Sequence, residues 1–375
     1  MDKYEYLWMK VRNNLLPGDI SENGMTYEEI FSLSEKGLIE KCGLSKSQAE
    51  FIINKVKETD IEGEFELFNL SGVSAVTVND DKYPKKLINI ENRPFALFYK
   101  GELPDENKRS VAIIGSRKCT EYGKYMAENI ATGLAKYDVE IISGMAFGID
   151  GIAGMAALNS GAKSFGVLGS GANVCYPRAN KALYDRLCKD GGIITEYPVD
   201  ACARADSFPL RNRIISALSD VVLVVEAGLK SGTFITVDYA LSQGREIMVV
   251  PGRATDPLSV GCNALILQGA SPAQSADDVM RLLDTVSTHY YEYNFSRNDF
   301  RTKELIGLVP KKSEKVLLER EENMVYSVLD FYSKNTEDIM KATNLDIFQI
   351  MSVLISLEMR GLIKETGKNS YVKCR

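Results

Sequence analysis

Residues 111–150 read VAIIGSRKCTEYGKYMAENIATGLAKYDVEIISGMAFGID. An unbroken aliphatic run, Val111–Ile114, stops at Gly115. Helical spacing follows over 120–137, then a second run, VEIISG, and a helix that opens at Ile149. Two strands of continuous Val/Ile character with a helix between them are a βαβ unit, and strands of that kind are buried on both faces. Downstream the pattern repeats. SFGVLG (164–169) precedes a helix near 179–189, and GIITE (192–196) leads through a long loop to RNRIISALS (211–219). VVLVVEAG (221–228) is the strongest strand signal, followed by a helix over 233–243 and by EIMVV (246–250). The reading is an α/β core with a doubly wound, mainly parallel sheet. A βαβ core by itself specifies no function.

The flanks have a different texture. Residues 1–70 are short amphipathic segments, expected to form a small helical domain. Within them, GLSKSQAEFIINKV (43–56) follows a glycine turn and directs Ala49, Ile52, Ile53 and Val56 inward, like one half of a helix-hairpin-helix. Direct DNA contact and plain packing are both open for it. Residues 285–320 read as a linker. Its stretch THYYEYNFSRNDFRTK (288–303) interleaves aromatic and basic residues, which suits either stacking on single-stranded nucleic acid or packing on the neighbouring core. Residues 321–375 read as helix (321–332), helix (336–342), helix (346–360) and a two-stranded wing. In this winged-helix pattern eight acids meet seven bases. The third helix, DIFQIMSVLISLEMRG, is poor in side chains that read bases, so a protein–protein role is favoured there.

Composition narrows the chemistry. The 375 residues are 45% hydrophobic and 26% charged, with a net charge of −6. That excludes a uniformly basic nucleic-acid coat but not a local basic groove. One histidine, His289, excludes multi-histidine metal sites. Seven cysteines, none in a CxxC, suit a reducing cytosol and argue against a zinc ribbon. No window reaches 18 apolar residues, so the expectation is a cytoplasmic protein without a membrane span. Neither a metal nor a cofactor is expected. GxxxxGK[ST] is absent, and GSGANV (169–174) lacks the third glycine of a dinucleotide fingerprint.

The candidate site lies where the strands end, the edge at which parallel α/β sheets bind ligands. Gly115-Ser116-Arg117-Lys118 follows the first run and precedes a helix. Ser143-Gly144-Met145-Ala146-Phe147 follows the second, and Gly169-Ser170-Gly171 the third, continuing to Tyr176-Pro177-Arg178. Phe208-Pro209-Leu210-Arg211-Asn212-Arg213 opens a helix with its cations against the favoured dipole sense, as an adjacent anion would explain. Lys230-Ser231-Gly232-Thr233 follows the fourth long run, with Thr236 just beyond. Glycine, hydroxyl and cation at a helix start hold a phosphate without a metal. Any one of these loops is equally a plain βα turn. Several on one edge are a pattern. Between 111 and 270 fifteen bases balance fifteen acids, while Arg117, Lys118, Arg178, Arg211, Arg213 and Lys230 gather in these loops. Cys119 has two readings, a low-pKa thiol or an ordinary small residue. Glu196 and Glu226 end strands, placed either to orient a cation or to cap the sheet edge.

With VAIIGSRKCTEYG, SGMAFGID, VLGSGANVCYPRAN, FPLRNRIISALS, VVVEAGLKSGTFIT, QGREIMVVPG and GCNALILQGA, residues 75–284 resemble the DprA/Smf family, the DNA-processing proteins of bacterial transformation. YPKKLINIENRPFALFYKG (83–101) is similar to the family's lead-in to the core. The resemblance implies an extended Rossmann fold with N-terminal SAM/HhH-like and C-terminal winged-helix additions. It implies a homodimer that binds single-stranded DNA and helps load a RecA-type recombinase, with no turnover chemistry. On the matching motifs it implies DNA contacts at Gly115, Ser116, Arg117, Lys118, Ser143, Gly144, Ala146, Gly169, Gly171, Arg178, Arg211, Asn212, Arg213, Lys230, Ser231, Gly232 and Thr236. Three positions depart from the pattern. Phe147 replaces a basic residue and suits stacking on a base, and Val260 and Ala264 stand where arginines are frequent.

Two other functions compete. LOG-type phosphoribohydrolases share a Gly-Ser-Arg-like loop, but their chemistry needs a carboxylate soon after Gly-Thr. Here Gly232-Thr233 is followed by Phe234-Ile235-Thr236-Val237, and Asp238 falls out of phase. An interaction scaffold that binds no DNA is the third reading.

Overall fold

The computed structural model describes residues 1–12 and 24–289. In the C-terminal part it describes 320–329, 334–343, 345–360, 362–367 and 369–373. The chain forms two compact units, Met1–Arg297 and Asn298–Arg375.

The first unit is built on a nine-stranded sheet. Its strands are β1 (Ser74–Thr77), β2 (Ala96–Gly101), β3 (Ser110–Ile114), β4 (Glu140–Ser143), β5 (Ser164–Val167), β6 (Gly192–Thr195), β7 (Val221–Val224), β8 (Glu246–Val249) and β9 (Ser271–Pro272). They lie in the order β1-β2-β6-β5-β4-β3-β7-β8-β9. From β6 to β9 every pairing is parallel. Only β1 with β2 and β2 with β6 run antiparallel. The chain winds from β3 outward to β6, then returns to the other side of β3 to lay down β7, β8 and β9. This is the doubly wound, Rossmann-like α/β fold, and its switch point lies between β3 and β7. The aliphatic runs are the reason. Val111, Ala112, Ile113, Val221, Val222, Leu223 and Val224 have no solvent exposure, because helices cover both faces of the sheet. The lead-in strands β1 and β2 and the short β9 were not marked by the runs that reveal the other strands.

The N-terminal helices Lys3–Arg12, Tyr27–Phe31, Glu35–Cys42, Lys46–Glu58 and Ile61–Leu70 belong to this unit. Trp8, Leu7, Ile30, Leu38 and Ile52 share one apolar cluster with Phe98, Leu168, Leu183 and Val199. The change of texture near residue 70 therefore separates two kinds of sequence but not two cores. Gly43 takes φ 69° and ends one helix, and Ser45 and Gln48 form a capping box at the start of the next.

The second unit has helices Arg320–Val328, Thr336–Thr343 and Ile347–Met359. A three-stranded antiparallel sheet contains Lys334–Asn335, Ile363–Gly367 and Ser370–Lys373. Val325, Ile339, Ile350, Leu354 and Leu357 form its core. Residues 290–303 of the aromatic-basic stretch, and nearly all of the linker, lie outside the described residues. Among the described residues no helix is long and apolar enough to cross a membrane.

Candidate nucleic-acid interface

The loops after β3, β4, β5 and β7 meet at one edge of the sheet. At the switch point the loop after β3 is tied to β7. Ser116 N–H donates to the Glu226 carbonyl at 2.8 Å, and Ile149 N–H donates to the Ser116 carbonyl at 3.2 Å. The Ser116 hydroxyl folds onto its own loop, accepting from Lys118 N–H at 3.2 Å. Gly148 caps helix Ile149–Asn159 at φ 71°, and a β-carbon there would strike the Ser116 carbonyl oxygen. Glycine is therefore required for the loops after β3 and β4 to touch.

Arg117, Lys118, Arg178 and Lys230 are exposed, and none of them is in an ion pair among the described residues. Arg117 lies over the Phe208 ring, 5.8 Å from its centroid. Tyr176 meets the same ring at 5.3 Å. Phe147 is 47% exposed and Tyr176 49%. Cations and aromatic faces thus alternate along this edge. Gly232 begins helix Thr233–Ser242 with open space around it. Ser231 is partly exposed and donates its hydroxyl proton to Thr233 Oγ1 at 2.8 Å.

Two arginines expected to meet phosphate are committed elsewhere, and this corrects the reading from spacing. Arg213 is 6% exposed. Its guanidinium grips Glu196 through two bonds of 2.7 and 2.5 Å. It also donates to the Asn92 carbonyl at 2.9 Å and the Leu210 carbonyl at 2.7 Å. Arg211 is 4% exposed and donates to the carbonyls of Gly144, at 2.9 Å, and Val167. Burial pulls its guanidinium down to about 10, opposed by nearby Asp150. Asp150 in turn accepts from Gly144 N–H at 3.0 Å, and burial raises its pKa. The placement of cations at this helix start is thus explained by carboxylates and carbonyls of the protein itself. Asn212, half-buried, accepts from Arg211 Nε at 3.2 Å.

Other expected contacts divide the same way. Ser143, Gly144, Gly169, Gly171 and Thr236 are buried. The Gly169 carbonyl accepts from the Ser207 hydroxyl. Gly171 N–H donates to the Ala201 carbonyl at 2.8 Å, and a β-carbon there would strike the carbonyl oxygens of Pro198 and Val199. These residues shape the edge from beneath. Gly115 and Ala146 are partly exposed at its surface. Glu226 accepts from Thr120 N–H at 2.9 Å and from the Thr120 hydroxyl, so it caps the edge. Glu196 serves Arg213. Burial, with Glu226 nearby, pushes the Cys119 thiol up, which removes the low-pKa reading. Val260 starts helix Val260–Leu267, and Ala264 is buried within it.

Residues that spacing did not single out also matter. Asn180 Nδ2 donates to the Met145 and Ala146 carbonyls, both at 3.0 Å, and so pins the loop after β4. The Phe208 ring is the shared platform of Arg117, Arg211 and Tyr176. An aromatic residue amid loop cations was the available signal for it.

Comparison with known proteins places these features in a family. Residues 74–284 match the family model of DNA recombination-mediator protein A. DNA processing protein DprA of Streptococcus pneumoniae is 38% identical over 226 residues, 60% of this chain and 78% of that protein. Protein Smf of Escherichia coli is 36% identical over 247 residues, 66% of each chain. The X-ray structure of the pneumococcal protein superposes with a TM-score of 0.60 at 33% identity, covering 75% of this chain and 98% of that one. A structure of DNA processing protein A from Helicobacter pylori, reported for its single-stranded DNA binding mode, superposes with a TM-score of 0.51 at 30% identity. It covers 57% of this chain and 98% of its own. The edge built by Gly115–Lys118 and its neighbouring loops therefore belongs to a member of the DNA recombination-mediator protein A family, the DprA/Smf proteins.

Proposed function

We propose that the chain binds single-stranded DNA along this loop edge, protects it, and helps load a RecA-type recombinase, acting as a homodimer and without turnover chemistry. The observation that carries the reading is the alternation of Arg117, Lys118, Arg178 and Lys230 with Phe147, Phe208 and Tyr176 at the switch point. Phosphates are common to every sequence, so contacts from these cations and from loop amides give base-tolerant, salt-sensitive binding. Aromatic faces add stacking that any base can use. The Helicobacter pylori relative, whose reported structure concerns a single-stranded DNA binding mode, supports the same assignment.

The test is fluorescence anisotropy with labelled oligo-dT over a salt series. Wild type is expected to bind with a steep salt dependence. Arg117→Ala and Lys118→Ala are each expected to reduce the slope of log K on log salt by about 0.7. A wild type that binds no single strand even at low salt overturns the reading. Release of free base from nucleoside monophosphates would favour the phosphoribohydrolase alternative instead.

A further inference from the structure

An open groove of about 560 Å³ runs from the loop edge along helix Ile149–Asn159. Helix Glu121–Ala135 forms one wall with Glu128 and Thr132, and the segment Ala179–Leu183 forms the other. Its floor is Gly151, Ile152, Met155 and Ala156. Gly148 lines its upper end and packs on Ser116 and Arg117, so the groove opens directly onto the phosphate-binding edge. Two exposed rings flank that mouth. Phe147 precedes Gly148. Tyr125, 62% exposed, stands one turn before Glu128 on the same stripe of its helix.

Charge separates the two places. The loop edge carries the cations. The groove lining holds no lysine or arginine among the described residues, and its one charged side chain is the carboxylate of Glu128. A phosphate is repelled there, whereas a flat, neutral heterocycle fits. The polar groups are mostly acceptors. The Asn180 amide spends its N–H groups on the Met145 and Ala146 carbonyls, which leaves Oδ1 to accept. Glu128 is exposed and accepts only.

We propose that this groove is a nucleobase subsite, into which bases of a strand held at the loop edge turn between Tyr125 and Phe147. The proposal rests on the single-strand reading above. Glu128 and Asn180 Oδ1 accept from exocyclic amino groups, so cytosine is favoured over thymine, which has none. Affinity then has two parts, a salt-dependent one from the loop cations and a base-dependent one from the groove.

Anisotropy at one salt concentration with oligo-dC, oligo-dT and an abasic oligomer of the same phosphate count tests this. Wild type is expected to bind oligo-dC at least about fivefold more tightly than the abasic strand, with oligo-dT between. Ala182→Trp places a large ring in the groove from an exposed position and is expected to abolish that difference with the salt slope unchanged. Glu128→Gln is expected to narrow the preference for oligo-dC over oligo-dT. Equal affinity of wild type for the abasic strand overturns the proposal. So does an Ala182→Trp variant that keeps the full preference, or one with a reduced salt slope, which would put phosphate in the groove. Wild type that binds none of the three oligomers overturns instead the reading of the loop edge, so the two failures are distinguishable.

Discussion

Replacing Arg213 by alanine separates a structural arginine from a DNA-contacting one. The side chain is 6% exposed and holds Glu196 through two charge-assisted bonds, with two further bonds to carbonyls. Arg213→Ala leaves the Glu196 carboxylate buried and without its partner. Breaking such a pair from one side destabilises by about 3–5 kcal/mol. For a unit of this size each kcal/mol lowers Tm by about 2–3 °C, so a fall of about 6–12 °C is expected. Trp8 is the chain's one tryptophan and is fully buried in the same unit, so its fluorescence reports this unfolding. Arg213→Met combined with Glu196→Leu is expected to recover most of the loss, because the uncompensated charge is gone. The salt slope of single-strand binding, measured well below the variant's Tm, is expected to stay at the wild-type value. An Arg213→Ala protein with wild-type Tm and a slope reduced by about 0.7 would refute the reasoning and place this guanidinium on a phosphate.

Other outcomes follow from the same geometry. Glu140 is 1% exposed, and burial pushes its carboxyl from 4.5 up to about 7. The folded state therefore holds a proton that the unfolded state has released, and stability falls as pH rises from about 4.5 to 7. Glu140→Gln is expected to be nearly neutral near pH 4.5 and stabilising by up to about 3 kcal/mol at pH 8, measured by urea unfolding at both values; an equal effect at the two pH values would count against it. Gly171→Ala meets backbone carbonyls rather than a flexible side chain, so it is expected to lower Tm by several degrees. If Gly171 instead lies against DNA, affinity changes while Tm does not. Phe147→Ala is expected to weaken oligo-dT binding by roughly fivefold or more without changing the salt slope. Unchanged affinity would exclude stacking on that ring.

Much of the fold was legible because its cause is local. Runs such as Val221–Val225 and Val111–Ile114 are apolar on both sides, a pattern that only a strand covered by helices on both faces satisfies. Gly115, Gly148 and Gly232 marked the turns between them. The lead-in strands carried no comparable run. β1 is half solvated at the sheet edge, and β9 is two residues long, so neither stood out from loop. The N-terminal helices were visible as helices. Their fusion to the sheet was not, because Trp8 and Leu38 announce burial without naming the surface that buries them.

The site divides along the same line. Residue type and position in the chain determined that cations, glycines and hydroxyls gather where the strands end, since in a parallel sheet every β-to-α turn falls on one edge. That alone located Arg117, Lys118, Arg178 and Lys230. Which cations face water is a different question, settled by what packs above each helix. Arg211 and Arg213 begin the same helix only two residues apart, and both turn inward. Asp150 and the loop carbonyls wait for one, and Glu196 at the end of β6 waits for the other. Those partners lie 17 to 67 residues away in the chain. A guanidinium drawn toward a carboxylate in a low-dielectric interior responds to distance in space, and only the tertiary structure supplies that distance.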